Sequence, residues 1–492
     1  MHGTHAEVTA VVDTARELYA DDPASAAVLD GFRSRLREPL RLAVAGMVKA
    51  GKSTVLNALI GERIAPTDAG ECTRMVTWYR YARSARITAH LEGGGEVRLP
   101  VARSSGSLVM DLGTLTADEV AWIDVAWPAE SLRSTVLIDT PGIASLSQRI
   151  SERSTSFLTP ARTPSEADAI LYLLRHIHAS DVTFLEAFRD TAAGQAQAVN
   201  AVALLSRADE IGSGRIDSLL SAARIANRYR ADSELRSLAL ECIPVAGLLA
   251  EGARTLRERE FAAFCELADL ERSVRDRLLI SVDRFVRPTK DTTLGVTERR
   301  RLLDRFGLFG VRLGAALVRG GARTSSQLAE RMVQQSGLID VQRFVSEQFR
   351  SRAVALKTRA VLQGLEWLID ENPRAGSSPL RRALERIASN SHQLRELGLL
   401  AELRTSIPEL APEDAVDAER IIGGSGTNAM ARLGLHPDAT PAESRARIAT
   451  AVDHWRVIGE SPLRDRTSAE LARVVIRSIE GVASELSGSG QS

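Results

Sequence analysis

Residues 46–53 read Gly-Met-Val-Lys-Ala-Gly-Lys-Ser, which is the complete pattern GxxxxGK(S/T). The apolar run 42–45 before this loop predicts a buried strand, and the helical spacing of apolar residues over 53–60 predicts a helix directly after it. A loop of this kind between a strand and a helix turns its backbone N–H groups toward the phosphates of a nucleotide. The octapeptide therefore predicts an α/β domain of the P-loop type.

Lysine is nearly absent from the chain, which holds four lysines among its 63 basic residues. Two of the four, Lys49 and Lys52, lie within this loop. Lys52 is predicted to reach the β- and γ-phosphate oxygens and to stabilise the transferred charge, while the Ser53 hydroxyl ligates Mg²⁺. The residues predicted to bind the phosphates are Gly46, Val48, Lys49, Ala50, Gly51, Lys52, Ser53 and Thr54.

A second phosphate motif follows a predicted strand at 135–138, where residues 139–142 read Asp-Thr-Pro-Gly. Asp139 is predicted to hold the Mg²⁺ through water, and the Gly142 amide is predicted to sense a γ-phosphate. The two motifs together predict a Mg²⁺-dependent site for a nucleoside triphosphate.

A large switch region is predicted between these motifs, because they lie 93 positions apart, more than a minimal nucleotide-binding domain needs. The candidate switch is the segment 65–77. Within it, Thr73 is predicted to complete the Mg²⁺ shell and to contact the γ-phosphate during catalysis. Thr67 and Thr77 are rival candidates for this role.

A third motif, Ser-Arg-Ala-Asp at 206–209, follows the predicted strand 202–205. It stands where GTPases place (N/T)KxD, whose aspartate accepts hydrogen bonds from guanine N1 and N2. Adenine does not offer that donor pair, so Asp209 favours guanine, and the planar guanidinium of Arg207 would cover the face of the base. In isolation this motif is equally typical of a solvated loop. The residues predicted to surround the base are Ser206, Arg207, Asp209, Ala246 and Gly247, the last two through a backbone amide that meets guanine O6.

Composition limits the alternatives. Because 63 basic residues balance 63 acidic ones, we expect no dedicated nucleic-acid binder. Cys72, Cys242 and Cys265 are odd in number and lack metal-ligand spacing, which indicates a reducing cytoplasm. The chain opens without a basic flank and apolar stretch, and it holds no run of eighteen apolar residues, so we expect neither a signal peptide nor a membrane span.

Strand and helix patterns divide the chain into four parts. Two helical segments over 1–40 precede an α/β domain over 41–250 with a mostly parallel sheet, and an all-α bundle follows over 251–486, with a disordered tail at 487–492. Helical spacing from 341 to 367 predicts one long helix, and a capping box at 467–470 predicts the start of the last helix. The predicted strands are 42–45, 76–81, 87–91, 123–125, 135–138, 169–173, 202–205 and 242–245.

These motifs resemble those of the bacterial dynamin-like proteins. The resemblance rests on the P-loop, the segment 65–77 and the two aspartate motifs, and it continues through 281–286, 302–311 and 421–427, so it covers nearly the whole chain. It implies a P-loop GTPase head carried on a helical neck and trunk, with the N-terminal helices packed against C-terminal ones in the neck.

The same resemblance implies how such a protein works. It implies GTP and GDP as nucleotides with Mg²⁺, self-association through the GTPase heads, and peripheral contact with an anionic membrane at the inner face of the cell membrane. A paralogous dynamin-like partner is compatible with it, and a nucleic-acid partner is not.

One position departs from the family pattern. Many dynamins place a polar side chain that positions the attacking water four residues before the P-loop lysine, where this chain has Val48. A valine does not orient water, so hydrolysis is slow or another residue serves. Lys49 is either a finger in cis that neutralises developing charge or an ordinary surface lysine. The alternative to an active GTPase is therefore a GTP-binding scaffold that hydrolyses slowly and regulates a second dynamin-like protein.

The segment 305–319 is the candidate for lipid contact. Arg305, Arg312 and Arg319 recur every seventh residue and form one stripe of a helix, with apolar residues such as Phe309 over much of the rest. A basic amphipathic helix lies on anionic lipid, but the same stripe is also typical of the solvated edge of a packed bundle helix.

Overall fold

The computed structural model describes residues 2–67, 75–104, 106–142, 157–158, 165–191, 198–212, 214–405, 410–461 and 465–488. The strands in these residues are β1 (Leu40–Gly46), β2 (Val76–Tyr81), β3 (Arg86–Leu91), β4 (Glu96–Leu99), β5 (Ala102–Ser104), β6 (Ser107–Val109), β7 (Val120–Trp127), β8 (Thr135–Asp139), β9 (Ala169–Leu174), β10 (Ala201–Ser206) and β11 (Cys242–Val245). Nine of them form one sheet in the order β11-β10-β9-β1-β8-β2-β7-β3-β4, and β5 pairs with β6 in a separate hairpin.

The sheet is parallel at the end that carries the nucleotide motifs. β1 lies between β8 and β9 and is parallel to both, and β9, β10 and β11 continue in parallel. Every residue of β1, β9 and β10 is buried, as expected for parallel strands covered on both faces. Because parallel strands end at the same edge, the residues that follow β1, β8, β10 and β11 meet there. The predicted mostly parallel sheet is confirmed, with β2, β3 and β4 adding the antiparallel pairings.

Helices supply most of the remaining chain. Those before and within the sheet domain are α1 (His2–Leu18), α2 (Pro23–Arg37), α3 (Lys52–Ile60), α4 (Ala179–Thr191), α5 (Ser218–Ala231), α6 (Ser233–Arg236) and α7 (Gly247–Arg254). Those that follow are α8 (Glu258–Asp269), α9 (Arg272–Leu278), α10 (Val282–Val286), α11 (Val296–Arg319), α12 (Ser325–Gln335), α13 (Leu338–Phe344), α14 (Ala353–Glu371), α15 (Ser378–Asn390), α16 (His392–Thr405), α17 (Pro412–Ile421), α18 (Ala429–Leu433), α19 (Pro441–Glu460) and α20 (Arg466–Gly488).

The two N-terminal helices pack against the helical region. Val8, Val12 and Tyr19 share one core cluster with Leu365 of α14 and Leu380 of α15. The turn between the helices is set locally, since Asp22 accepts from the amide of Ala24 and Pro23 occupies the first turn of α2.

A buried ion pair fixes α2 to the sheet. Arg35 and Asp168, which directly precedes β9, lie 2.7 Å apart with both side chains almost completely buried. Lys357 of α14 donates to the carbonyl oxygen of Glu38 at the end of α2. The N-terminal helices therefore contact both the sheet domain and the helical region.

The predicted long helix over 341–367 is interrupted. α13 passes into a π-helix at Val345–Arg350, and α14 begins only after a turn. The irregular segment lets two polar side chains reach the turn after α17, because Gln348 and Arg352 both donate to the carbonyl oxygen of Gly423. This long-range contact, which helical spacing does not reveal, accounts for the difference.

Three other predictions differ in detail. The last helix is capped by Asp465, whose carboxylate accepts from the amide of Ser468 at 2.9 Å, rather than by Thr467. That helix extends to Gly488, so the predicted tail from 487 is too long by two residues, and 489–492 lie outside the described residues. The strands β4, β5 and β6 are additional to the predicted ones; each is only three or four residues long and most of their residues are exposed, so the apolar signal over each is short.

The predicted domain boundary at 250 falls inside α7. Ala246 and Leu249, at the start of this helix, share a core cluster with Phe264 of α8 and with Phe306 and Phe309 of α11. α11 is therefore a core helix against the sheet domain, with Phe306 fully buried and Phe309 2% exposed. The interpretation of this segment as a lipid-contacting face is wrong, because its aromatic side chains are already covered by protein.

We expect Phe309→Asp to destabilise the chain by about 3–5 kcal/mol, since it removes a buried ring and buries a carboxylate. The measurement is the thermal unfolding midpoint by circular dichroism. Val457→Asp is the control, because Val457 is 73% exposed and a surface substitution changes stability by about 0.5 kcal/mol or less. Equal midpoints for the two variants would contradict the core assignment.

Candidate nucleotide-binding site

The predicted phosphate loop connects the end of β1 at Gly46 to the start of α3 at Lys52. The Lys52 ammonium is buried and donates to the carbonyl oxygens of Gly46 at 3.1 Å and Met47 at 3.2 Å. Burial lowers the pKa of Lys52, and the carboxylate of Asp139 opposes that shift. The cation is thus held at the loop by neutral carbonyl groups, which phosphate oxygens would replace with a stronger, charged partner.

Ser53 and Asp139 meet at the adjoining strand ends. Ser53 Oγ donates to Oδ2 of Asp139 at 2.8 Å. The other carboxylate oxygen, Oδ1, is buried and accepts no hydrogen bond within the described part of the chain. Burial raises the pKa of Asp139 to about 6, while Lys52 and the Ser53 hydroxyl lower it. A hydroxyl beside an unsatisfied carboxylate oxygen is a donor set that suits Mg²⁺, so both residues fit the predicted metal site.

The three threonines that are candidates for the switch role lie in different environments. Thr73 lies outside the described residues. Thr67 is exposed, and Thr77 is buried in β2, where it is the backbone partner of Asp139 across the antiparallel pair.

Gly142 approaches the phosphate loop closely. A Cβ atom at this position would lie 2.5 Å from Cγ2 of Val48 and 2.8 Å from its Cα, so a side chain does not fit. The structure thus places the backbone at 142 beside the loop, as γ-phosphate sensing requires. Val48 itself is 46% exposed and has only methyl groups to offer a water molecule.

Arg207 joins the phosphate loop to the base motif. Its guanidinium donates to the carbonyl oxygen of Lys49 at 3.0 Å and to Glu210 at 2.7 Å. Arg207 and Lys49 both have left-handed backbone conformations, with φ of 53° and 63°, which are strained for residues with a side chain. The Lys49 side chain is exposed and forms no ion pair with a described residue, a geometry compatible with both of its predicted roles.

A cavity of about 130 Å³ opens between the loop and the base motif. It is lined by Ala50, Gly51, Thr54, Val55, Ser206, Arg207, Asp209, Glu210, Gly247 and Leu248. Seven of these ten residues were predicted. Val55 and Leu248 lie on helix faces that also carry core residues, so nothing in their sequence context distinguishes them from packing residues.

Asp209 is the buried acceptor of this cavity, with 6% of its surface exposed. No other described residue donates a hydrogen bond to its carboxylate. Its pKa is raised to about 6, chiefly by burial; the hydrogen bond from its own backbone amide and the charge of Arg207 oppose this rise, and the charge of Glu210 adds to it. The remaining acceptor positions of this buried carboxylate are complementary to the two adjacent N–H donors of guanine.

Two groups that were predicted to surround the base form hydrogen bonds with other parts of the protein. The Ala246 amide donates to the carbonyl oxygen of Ser336 at 2.9 Å, so it is not free to meet guanine O6. The Ser206 hydroxyl lines the cavity but donates to the carbonyl oxygen of Leu174 at 3.1 Å, which ties β10 to β9. Gly247 remains in place, since it is the first residue of α7 and the first N–H groups of a helix have no acceptor within the helix.

A P-loop followed by Asp139 and by a buried Asp209 defines a nucleotide-binding domain of the GTPase type. The family model described as the dynamin family matches residues 42–190. The chain is 38% identical over 459 residues, 93% of each chain, to the isoniazid-induced protein IniC of Mycobacterium tuberculosis. The chain therefore belongs to the bacterial dynamin-like proteins, close to IniC.

Other similarities are more local or more distant. The bacterial dynamin-like protein of Nostoc punctiforme is 48% identical over 54 residues, which is 11% of this chain and 8% of that protein. A solved chain from an oligomerised bacterial dynamin pair, described as providing a mechanism for long-range sensing and tethering of membranes, superposes with a TM-score of 0.30 and 10% identity. It covers 99% of this chain and 75% of that chain, and the superposition is too loose to carry an argument.

The preference for guanine is expected to weaken in acid. Asp209 accepts from guanine only when it is ionised, so binding that depends on it is complete above its pKa of about 6 and is lost as the pH falls below that value. The measurement is the ratio of GDP to IDP affinity by calorimetry between pH 5 and 7.5, because hypoxanthine lacks the N2 amine while the phosphates titrate identically. A constant ratio across this range would place base selection at another group.

Proposed function

We propose that the protein is a dynamin-like GTPase that binds and hydrolyses GTP with Mg²⁺ and couples association of its heads to remodelling or maintenance of the cell membrane from the cytoplasmic side. The observation that carries the nucleotide part is the hydrogen bond of 2.8 Å between Ser53 and Asp139, at the edge of the sheet where the buried Asp209 also lies. Family membership supports the dynamin type of GTPase.

Each site residue has a separate task in this proposal. Lys52 binds the β- and γ-phosphate oxygens, and the Gly142 amide contacts the γ-phosphate. Ser53 and Asp139 hold the Mg²⁺, which neutralises negative charge that develops on the phosphates. Asp209 selects guanine, and Arg207 covers the base while fixing the loop through the carbonyl of Lys49. Thr73 is proposed to complete the metal shell and to contact the γ-phosphate.

The membrane part of the proposal is a peripheral contact. Among the described helices, none is long and apolar enough to cross a bilayer. The proposal rests on membership in the bacterial dynamin-like family, with an anionic lipid surface as partner and self-association through the heads.

GTP turnover by the full chain tests this function. We expect Mg²⁺-dependent hydrolysis of GTP and not of ATP, cosedimentation with phosphatidylglycerol vesicles in the presence of a non-hydrolysable GTP analogue, and loss of nucleotide binding in Lys52→Ala because the phosphates lose their buried cation. Undiminished affinity in Lys52→Ala would refute the phosphate site. Sedimentation that is independent of both nucleotide and vesicle charge would refute the membrane part alone.

The exposed Val48 favours a second function, a GTP-binding scaffold that hydrolyses slowly and regulates another dynamin-like protein. Its side chain rests against Gly142, at the position where many dynamins have a water-orienting group. In this alternative the chain binds GTP with the same residues but turns over only with its partner.

Val48→Gln distinguishes the two functions. If missing water orientation limits the chemical step, the variant binds GTP with unchanged affinity and hydrolyses it about tenfold to a hundredfold faster in single-turnover experiments. Val457→Gln, at a distant and more exposed valine, is the matched control. No gain in Val48→Gln would show that Lys49 or another group already supplies this function, and Lys49→Ala would then slow the step.

A further inference from the structure

Helix α11 is broken at the residue that faces the base-selecting carboxylate. Gly307 has φ 63° and ψ 173°, a non-helical conformation inside an otherwise continuous helix. A Cβ atom at this position would lie 3.7 Å from Oδ2 of Asp209 and 3.6 Å from Cδ2 of Leu248, both of which line the cavity. The break therefore lies directly behind the guanine pocket.

Two arginines hold the helix on either side of this break. Arg305 donates to the carbonyl oxygen of Thr255 at 2.8 Å, at the end of α7, and pairs with the buried Glu260 at 3.0 Å. Arg312 donates to the carbonyl oxygen of Gly214 at 2.5 Å, in the loop that follows the base motif. α11 is thus tied to both segments that border the cavity, the helix that starts at Gly247 and the loop after Asp209.

Arg312 also anchors this loop to the rest of the helical region. Its guanidinium donates to the carbonyl oxygen of Leu279 at 2.8 Å and 2.6 Å, from Nε and Nη2. A Cβ atom at Gly214 would lie 3.6 Å from the carbonyl oxygen of Asp209 and 3.9 Å from Phe309. Gly214 is therefore packed between the base motif and α11, and Arg312 joins it to the segment 279–280 with four hydrogen bonds to three carbonyl groups.

The conformation of Gly307 is one that only glycine adopts without strain. Such a conformation persists where the surrounding contacts require it, and here the arginines at 305 and 312 supply those contacts. The Asp209 carboxylate accepts from its own backbone amide and from no other described residue, so the groups packed against it also decide its orientation. The backbone of Gly307 is what packs there.

We propose that α11, a helix beyond the matched dynamin-family segment, packs behind the lining of the guanine pocket, and that Gly307 and Arg312 are positioning residues that hold the Asp209 carboxylate toward the base. This inference rests on the proposed binding of GTP. It assigns specificity to a helix outside the three nucleotide motifs, through contacts that leave the phosphate loop untouched.

The test compares GDP with IDP binding by calorimetry in the full chain. IDP lacks the N2 amine, so the ratio of the two affinities reports how well Asp209 accepts the second guanine hydrogen bond. We expect Gly307→Ala to reduce this ratio about tenfold, as the loss of a hydrogen bond to a charged acceptor would, while IDP binding falls much less. A general loss of stability would weaken both nucleotides together and leave the ratio unchanged.

Each variant has a matched control on the same segment. Gly321→Ala introduces a side chain at a positive φ of 92° where no atom lies within 4 Å, so it strains the backbone without touching the pocket. Arg312→Ala removes the hydrogen bond that holds Gly214. We expect it to lower the GDP-to-IDP affinity ratio about threefold, because the hydrogen bond from guanine to Asp209 would be weakened but not lost. Arg319→Ala removes an exposed arginine of the same stripe and should leave the ratio unchanged.

The outcomes separate this inference from the proposed function. A native GDP-to-IDP ratio retained by folded Gly307→Ala, or by Arg312→Ala if Gly307→Ala does not fold, overturns the role of α11. An equal fall in affinity for both nucleotides also overturns it, because that result shows a disturbed phosphate site. If the unaltered chain binds neither nucleotide, or binds both equally, the failure belongs to the proposed function and its guanine assignment.

Discussion

Parallel pairing of β1 with β8 is the constraint on which the site depends. The register aligns Val44 with Asp139, so that the P-loop begins at Gly46, two residues beyond the position in β1 that is paired with this carboxylate. A shift of one residue would turn Asp139 to the opposite face of the sheet and break its hydrogen bond with Ser53. Because both faces of β1 are buried, such a shift would also exchange the side chains that the strand presents to the two packed layers, so core packing and site geometry favour the same register.

Three ionisable groups at the site are buried and only partly satisfied by hydrogen bonds or ion pairs from the described residues. Burial lowers the pKa of Lys52 and raises those of Asp139 and Asp209 to about 6. Each shift has burial as its largest cause, which makes the charged form less favourable than it is in water. If the chain binds GTP and Mg²⁺ as proposed, phosphate oxygens, a divalent cation and the N–H donors of guanine would supply partners for these three groups. Binding would then offset part of the cost of burying them.

The features that the sequence predicts correctly are those that depend on residues close to one another in the chain. The P-loop and the strand ends follow from apolar runs next to short motifs, and Ser53, Asp139 and Asp209 lie where those motifs indicated. The errors arise where a distant segment decides the outcome. The Ala246 amide is taken by a carbonyl at Ser336, ninety positions later, and an arginine stripe that resembles a lipid-binding face instead binds backbone carbonyl groups. Hydrophobic periodicity identifies such a helix but not its partner.

These long-range contacts share one consequence. The end of the sheet that carries Asp209 is attached to the helical region through the hydrogen bond from Ala246 to Ser336, the hydrogen bond from Arg312 to Gly214 and the packing of Gly307 on Asp209. Among the described residues, the P-loop forms its side-chain hydrogen bonds with its own backbone, Asp139 and Arg207, and none with α11. With guanine bound at Asp209 as proposed, a displacement of α11 relative to the sheet would change the base contacts, and by thermodynamic linkage guanine binding would oppose that displacement. On the proposed function, the base of the nucleotide, which carries no reacting bond, would therefore report the position of α11.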